Sequence, residues 1–383
     1  MSTESDVLII GGGIAGASAA FQLSQHMTAT ILEAEDQLAY HTTGRSAALF
    51  VENYGGPINQ RLAVASRPFF ESEAEGLASF PLFERCGYLE IAGPDDAADL
   101  ESAGRESIEQ LPHIELVDRV GILDLVPVIR PERVEIGVWN EAAASIDVME
   151  LHQSYIRGAR ANGAKVETGA RVEDIRRRGD RWEVATPSGR HAAPTVVNAA
   201  GAWADELAIL AGAGPIGLEP KRRTAFTVNT GHETRDWPFV SHEGARHPFY
   251  FKPEPGGQLL CSPADETPSE PCDARPVDID IALAIESINT YTTLGIRSIQ
   301  ASWAGLRSFT RDRDPVIFRD DQVEGFVWMA GLGGAGINTS PATGQIVDAL
   351  VTGSEWPASL TQLGIEPEHL EPSRSDSSST QEV

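Results

Sequence analysis

An α/β fold, with a doubly wound sheet joined to a second α+β domain that contains an antiparallel sheet, is predicted by three observations. The chain opens on an apolar run, Asp6-Val7-Leu8-Ile9-Ile10, which breaks into Gly11-Gly12-Gly13-Ile14-Ala15-Gly16 and continues into the helix-like Ala17-Ser18-Ala19-Ala20-Phe21-Gln22-Leu23. Much later Thr195-Val196-Val197-Asn198 reads as a buried strand, so the first domain returns after an excursion. Between Arg223 and Ser262 short strand-like runs punctuated by Gly and Pro indicate an antiparallel sheet.

Strand, glycine turn and helix together make a dinucleotide site. Gly11 permits the tight turn, Gly13 lets a pyrophosphate approach the backbone, and Gly16 allows close packing of helix on strand. Free N–H groups and the helix dipole then face the phosphates. A second apolar run ends in Ile31-Leu32-Glu33, and Glu33, 17 residues beyond Gly16, is placed to accept hydrogen bonds from an adenosine ribose.

Next comes Tyr40-His41-Thr42-Thr43-Gly44-Arg45-Ser46-Ala47-Ala48, whose hydroxyls, small residues and backbone N–H groups suit a phosphate or a flat ring, with Arg45 adding charge; a plain helix cap and loop would look similar. A helix is predicted over 58–75, a strand over 86–92 opening the second domain, and an acidic, helical stretch over 94–130. Strand 134–139, helix 149–162, strand 165–167, a ribbon of 171–176 and 182–186, and strand 195–198 follow. Ala199-Ala200-Gly201-Ala202-Trp203 is a second place where backbone could press against the nucleotide. Strands are then read at 224–228, 249–252, 258–261, 316–317 and 325–330, with a helix over 279–294. Gly331-Leu332-Gly333-Gly334-Ala335-Gly336 repeats the opening spacing, but no acid-tipped strand follows its helix; it is read as a cap on the first cofactor, not a second nucleotide site.

Composition narrows the function. The 383 residues with 41% apolar content suit two domains or one large one. A formal net charge of −26 argues against nucleic acid and anionic membrane as partners, since both are polyanions. Only Lys165, Lys221 and Lys252 are lysine among 30 basic residues, the surface expected of a protein kept soluble in salty cytoplasm. No signal peptide or transmembrane helix is read, and a cytoplasmic location is expected. Cys86, Cys261 and Cys272 form no CxxC, so neither a disulfide framework nor a metal cluster is suggested, and no metal site is expected.

The motifs GGGIAGAS, HTTGRSAA, VVNAAGAW, PKRRTAF, WAGLRSF and GLGGAGINTS together resemble the D-amino-acid oxidase superfamily of FAD-dependent oxidoreductases, and within it the D-arginine dehydrogenase type. The resemblance implies a Rossmann-like FAD-binding domain assembled from residues 1–80, 146–220 and 303–365 and a substrate domain from 81–145 and 221–302; residues 366–383, rich in Ser, Glu and Pro, read as a disordered tail. It implies dissociable FAD, because no cysteine follows Arg307 where sarcosine-oxidase-like relatives anchor the flavin covalently. Cofactor contacts are implied for Gly11, Gly13, Ile14, Ala15, Gly16, Glu33 and Ala34, for Gly44, Arg45, Ser46, Ala47 and Ala48, and for Val172, Ala200, Gly201 and Trp203. Arg307, Gly333, Gly334, Gly336, Ile337, Asn338 and Thr339 complete that set.

The family grips the amino-acid carboxylate with two arginines and surrounds it with two tyrosines; by motif these are Arg223, Arg307, Tyr54 and Tyr250, with Gly334 and Asn338 beside the substrate. Two positions depart from the D-arginine type: Leu49 replaces a histidine and Tyr88 replaces the carboxylate that would meet a cationic side chain. A guanidinium desolvated there would lack its partner, so neutral side chains are expected, unless Glu52 or Glu84 supplies the missing acid. The implied reaction is oxidative deamination of a D-amino acid by hydride transfer from Cα to flavin. An imino acid results, which hydrolyses to a 2-oxo acid and ammonia. Alternatives are a glycine- or sarcosine-type oxidase or dehydrogenase, a 2-hydroxy-acid dehydrogenase, and a flavin-binding subunit of an opine-type oxidase. An electron acceptor is required; its identity, and the oligomeric state, are left open.

Overall fold

A computed structural model describes residues 3–74 and 76–372, and of Glu73 the backbone alone. Its first sheet has the strand order Lys165–Glu167, Ala29–Leu32, Val7–Ile10, Thr195–Asn198, Phe326–Ala330, Val316–Arg319, parallel throughout except for the last pair. The four inner strands read as nearly continuous apolar runs because both faces are covered, while the edge strand Lys165–Glu167 is partly exposed. Val7, Ile9 and Ile31 point into a core shared with the helices Ile14–Leu23, Val148–Ala161 and Ser340–Thr352. Leu8, Ile10 and Leu32 point the other way, against the ribbon residues Trp182 and Val184 and Leu207 of helix Ala204–Ala211.

The second sheet has nine strands, ordered Thr267–Pro268, Glu219–Asn229, Gln258–Ser262, Phe249–Glu254, Phe239–His242, Tyr88–Ala92, Ile136–Asn140, Ile114–Asp118, with Ala301–Phe309 also paired to Glu219–Asn229. One face packs Leu89, Val240, Phe249, Phe251, Leu259, Cys261 and Phe226 against helix Asp278–Tyr291. By strand alternation the opposite face carries Glu90, Ser241, Tyr250 and Ser262 in one paired row, and Tyr88 beside Phe239 in the next.

Four expectations are corrected. Ala301–Phe309 belongs to the nine-stranded sheet, so a boundary at residue 303 cuts through a strand. The acidic stretch 94–130 is not helical throughout: between the helices Ala97–Gln110 and Arg119–Leu125 lies strand Ile114–Asp118. Helix Pro57–Pro68 passes into a wider turn over Phe69–Glu73, following a proline at its end. The expected tail is structured at its start, where Pro367–Leu370 forms a 3₁₀ turn and buries Leu370 completely; residues from 373 lie outside the described ones. Among the described residues no helix is long and apolar enough to cross a membrane.

Candidate active site

The glycine turn is built as its residues demand. Gly11 has φ +108°, and a Cβ there would lie 2.4 Å from the Ala199 carbonyl oxygen; a Cβ on Gly16 would meet the Gly11 carbonyl. At Gly13 the nearest atom to a Cβ is Thr43 Oγ1 at 3.2 Å, so the loop is open on that side. Helix Ile14–Leu23 has no side-chain N-cap from Gly13; Thr43 Oγ1 accepts from Ile14 N at 2.9 Å, and the remaining first-turn donors suit a pyrophosphate. The Gly12 peptide is clamped on both sides. Its N–H donates to Glu33 Oε2 at 2.6 Å, and its carbonyl accepts from Ala39 N at 3.2 Å and from His152 Nε2 at 2.9 Å. His152 is fully buried, which holds its pKa below the usual histidine value and the ring neutral.

A cleft of about 410 Å³ runs from this turn to the arginine-bearing strands. Its walls include Gly11, Gly13, Ile14, Ala15, Glu33, Ala34, Arg45, Ser46, Ala47, Val172, Ala200, Gly201, Trp203, Arg223, Tyr250, Arg307, Gly333, Gly334, Gly336 and Ile337, so most of the expected residues converge. Gly16, Gly44, Ala48, Asn338, Thr339, Tyr54, Leu49 and Tyr88 do not line it. Asn338, next to Ile337, donates from Nδ2 to the Val51 carbonyl at 3.3 Å, while its Oδ1 is buried without a protein partner, an acceptor ready for a donor on a bound group. A flat dinucleotide fits this donor set. None of the three cysteines lies on the wall.

Arg45 does something other than expected. Its guanidinium is engaged by the carbonyls of Tyr40, Ala274 and Ala304 and by Asp273 Oδ1 at 2.5 Å, so it ties the loop to the second sheet instead of offering charge to a phosphate. Thr42 Oγ1 donates to the Leu306 carbonyl and Trp303 Nε1 to the Arg45 carbonyl, completing the seam.

At the other end of the cleft, Arg223 pairs in register with Gly305, which places Arg307 diagonally beside it on the same face. Arg223 donates from Nε to the Asp265 carbonyl at 2.8 Å and from Nη2 to Glu266 Oε1 at 3.0 Å. Burial, and then the like charge of Arg307, hold its pKa below the usual arginine value. Arg307 makes no ion pair among the described residues; the one hydrogen bond of its side chain there is from Nη1 to the Tyr54 hydroxyl, at 3.3 Å. Burial opposes its charge, yet Tyr54, Tyr250, Glu266 and Asp265 together hold its pKa above the usual value. A Cβ on Gly334 would sit 2.6 Å from the Tyr54 hydroxyl and 3.0 Å from Arg307 Nη1, so Tyr54, Arg307 and Gly334 meet at one point.

Behind Tyr250 the substrate-side residues form a packed cluster of Tyr88, Phe239, Val51, Ala225 and Leu260, with Leu49 and Tyr54 against it. Phe239 stacks on Tyr250 at 5.1 Å and contacts Tyr88 at 5.7 Å between ring centroids. The expectation that this end carries no acid needs correction. The Tyr88 hydroxyl lies 2.7 Å from Ser241 Oγ and 3.3 Å from Glu90 Oε2. Burial, reinforced by Glu243, pushes the Glu90 carboxyl up to about 7. Glu52 is not free to serve there, because Arg67 holds both its oxygens, at 2.7 and 2.8 Å. His152, Glu90 and Glu266 escaped sequence reasoning; only Glu90 had a signal, the two-residue strand period from Tyr88, whereas Thr43 lies in the hydroxyl-bearing segment read for a phosphate.

Residues 6–350 match the family model "FAD dependent oxidoreductase", or DAO. The chain belongs to this family. Hydrogen cyanide synthase subunit HcnC of Pseudomonas aeruginosa is 26% identical over 403 residues, covering 92% of this chain and 93% of that protein. Among solved structures, L-proline dehydrogenase from P. horikoshii superposes with a TM-score of 0.86 at 21% identity, covering 99% of both chains. Glycine oxidase from Geobacillus kaustophilus gives 0.84 at 22%, covering 94% of this chain and 98% of that one. These likenesses confirm the fold; they do not single out the D-arginine dehydrogenase type. The protein is an FAD-dependent oxidoreductase of the DAO family, with FAD as its cofactor.

Proposed function

We propose that the protein oxidises the Cα–N bond of a D-amino acid with a neutral side chain, releasing a 2-oxo acid and ammonia after hydrolysis of the imine. The observation that carries this reading is Arg307, a guanidinium at the cleft wall with no carboxylate partner, beside a second guanidinium on the same sheet face. Two cations that repel each other side by side on one cleft wall are stabilised by an anion that bridges them. A substrate carboxylate can bridge Arg307 and Nη1 of Arg223, the one nitrogen of that guanidinium to which no described residue bonds. Tyr54 then fixes the Arg307 fork, and the hydroxyl of Tyr250, on the cleft wall, accepts a hydrogen bond from the substrate nitrogen, whose ammonium proton leaves to solvent water before hydride transfer. Bound FAD supplies the two-electron acceptor. Replacing Arg307 or Arg223 by Ala should lower kcat/KM by roughly 100-fold or more with FAD content intact, because a desolvated carboxylate loses a charge-assisted pair. Unchanged kinetics in both variants would remove them from the site.

A second reading is favoured by one feature. The packing of Tyr88, Phe239, Leu49 and Val51 leaves the distal wall closed, which suits glycine or a small N-substituted glycine held by the same arginines. Structural likeness to a glycine oxidase supports it. Comparing sarcosine with D-methionine as reductants of the flavin separates the two.

A further inference from the structure

The two arginines of the cleft have a neighbour that their proposed role does not require. Glu266 Oε1 lies 3.0 Å from Arg223 Nη2 and 2.8 Å from Arg313 Nη2, and its Oε2 lies 2.9 Å from Arg313 Nη1. One carboxylate thus bridges two guanidiniums, that of Arg223 on the cleft wall and that of Arg313, which does not itself line the cleft. Arg313 is set for this position: its backbone is left-handed at φ +68°, and its Cζ lies over the Phe309 ring, 4.1 Å from the centroid. Glu266 is held from both sides. Asp265 before it accepts from Thr224 N and Thr224 Oγ1, and Thr267 after it pairs in register with Arg222. Partial burial works against its charge, but hydrogen bonds from Arg313, with the charges of Arg313, Arg223 and Lys221, hold its pKa below the usual glutamate value. Tyr54 and Glu243 are the other groups within electrostatic reach of Arg313.

We infer that Glu266 is a specificity-determining residue whose carboxylate fills a second anion position between Arg223 and Arg313, so that the site accepts amino acids with one carboxylate and turns away those with two. The inference rests on the proposed binding of a substrate carboxylate at Arg307 and Arg223. An isolated surface ion pair would carry little meaning. Here the same acid touches the wall arginine and takes both Nη atoms of Arg313, so a second substrate carboxylate reaching past Arg223 meets a fixed negative charge in place of a free guanidinium fork. Removing that charge while keeping the shape leaves both forks open.

The test uses the FAD-loaded protein and inhibitors that perturb the flavin spectrum: acetate and propionate as monocarboxylates, malonate and succinate as dicarboxylates. In wild type the monocarboxylates should bind at least about tenfold more tightly than the dicarboxylates; Glu266→Gln should tighten malonate or succinate by about tenfold and change acetate by less than about threefold. The double variant Glu266→Gln with Arg313→Ala should lose that gain, which a merely structural role for Glu266 does not predict. With substrates, D-aspartate and D-glutamate should reduce the flavin faster in Glu266→Gln than in wild type, while D-asparagine and D-glutamine do not gain. If no carboxylate perturbs the wild-type flavin, the carboxylate site itself is refuted. Monocarboxylate binding with an unchanged ratio in Glu266→Gln overturns the role of Glu266 alone. Should that variant lose FAD, a wild-type preference for malonate or succinate over acetate and propionate would overturn it equally.

Discussion

Gly334→Ala places a single methyl where Tyr54 and Arg307 meet, 2.6 Å from the tyrosine hydroxyl and 3.0 Å from Nη1 of the arginine. Gly334 does not have positive φ, so alanine is allowed by the backbone and the perturbation is confined to its neighbours. Restoring van der Waals contact requires the hydroxyl and the guanidinium to withdraw by roughly 0.5–1 Å. A displacement of about 1 Å in a group that orients substrate costs on the order of 100-fold in rate, or about 2.7 kcal/mol of barrier. The assay is anaerobic stopped-flow reduction of the flavin, read as a limiting rate and a substrate dissociation constant. The account expects kcat/KM to fall about 100-fold with FAD content unchanged and Tm shifted by only a few degrees. Tyr54→Phe removes the nearest of the two atoms, so the methyl should cost less in that background than in wild type. Kinetics within about threefold of wild type, or strictly additive losses in the double variant, would refute the idea that Tyr54 and the space at Gly334 together set the position of the Arg307 guanidinium.

Gly13→Val should abolish FAD binding, since its side chain would enter the open side of the loop next to Thr43, and retention of stoichiometric FAD after purification would contradict that placement. His152→Leu removes the donor that holds the Gly12 carbonyl and should weaken FAD affinity by roughly five- to tenfold, with partial recovery in His152→Gln; equal affinities in all three, by fluorescence titration, would deny His152 this role. Glu90 supplies a pH test. Burial raises its pKa from the usual 4.5 to about 7, so the native protein keeps a proton that the unfolded chain releases, and this group's contribution to stability falls as pH rises from about 4.5 to 7. At about 1.4 kcal/mol per unit, Glu90→Gln should gain on the order of 3 kcal/mol over wild type across that window and hold the advantage above it. Parallel denaturation midpoints from pH 4.5 to 8 would contradict it.

The doubly wound domain was legible because its strands are buried on both faces. Val7–Ile10 and Thr195–Asn198 fall where the apolar runs place them, and the glycine turn has the contacts its residue types require. Ile114–Asp118 and Phe239–His242 were not legible: the first lies among acidic helical sequence, and the second is four residues long after a proline. Motif resemblance found Arg223 and Arg307, and strand register puts them side by side. What the sequence could not show was who partners whom. Arg45 was read as a cation for a phosphate, but its acceptors Asp273, Ala274 and Ala304 lie more than two hundred residues away. Glu266 reaches Arg223 across 43 residues and Arg313 across 47, separations at which no local pattern speaks. Glu90 was different. Strand alternation puts it on the same face as Tyr88, so the substitution of an acid by Tyr88 had to be weighed with the acid two residues on.

The central claim, that the arginine-lined end of the cleft receives an amino-acid carboxylate, is tested most directly by mixing the FAD-loaded protein anaerobically with neutral D- and L-amino acids, sarcosine, 2-hydroxy acids and glycerol 3-phosphate while following flavin absorbance. The account predicts bleaching by a neutral D-amino acid in wild type, and loss of that bleaching in Arg307→Ala at the same substrate concentration. Bleaching by glycerol 3-phosphate or a 2-hydroxy acid with none from any amino acid, or undiminished bleaching in Arg307→Ala, would contradict it.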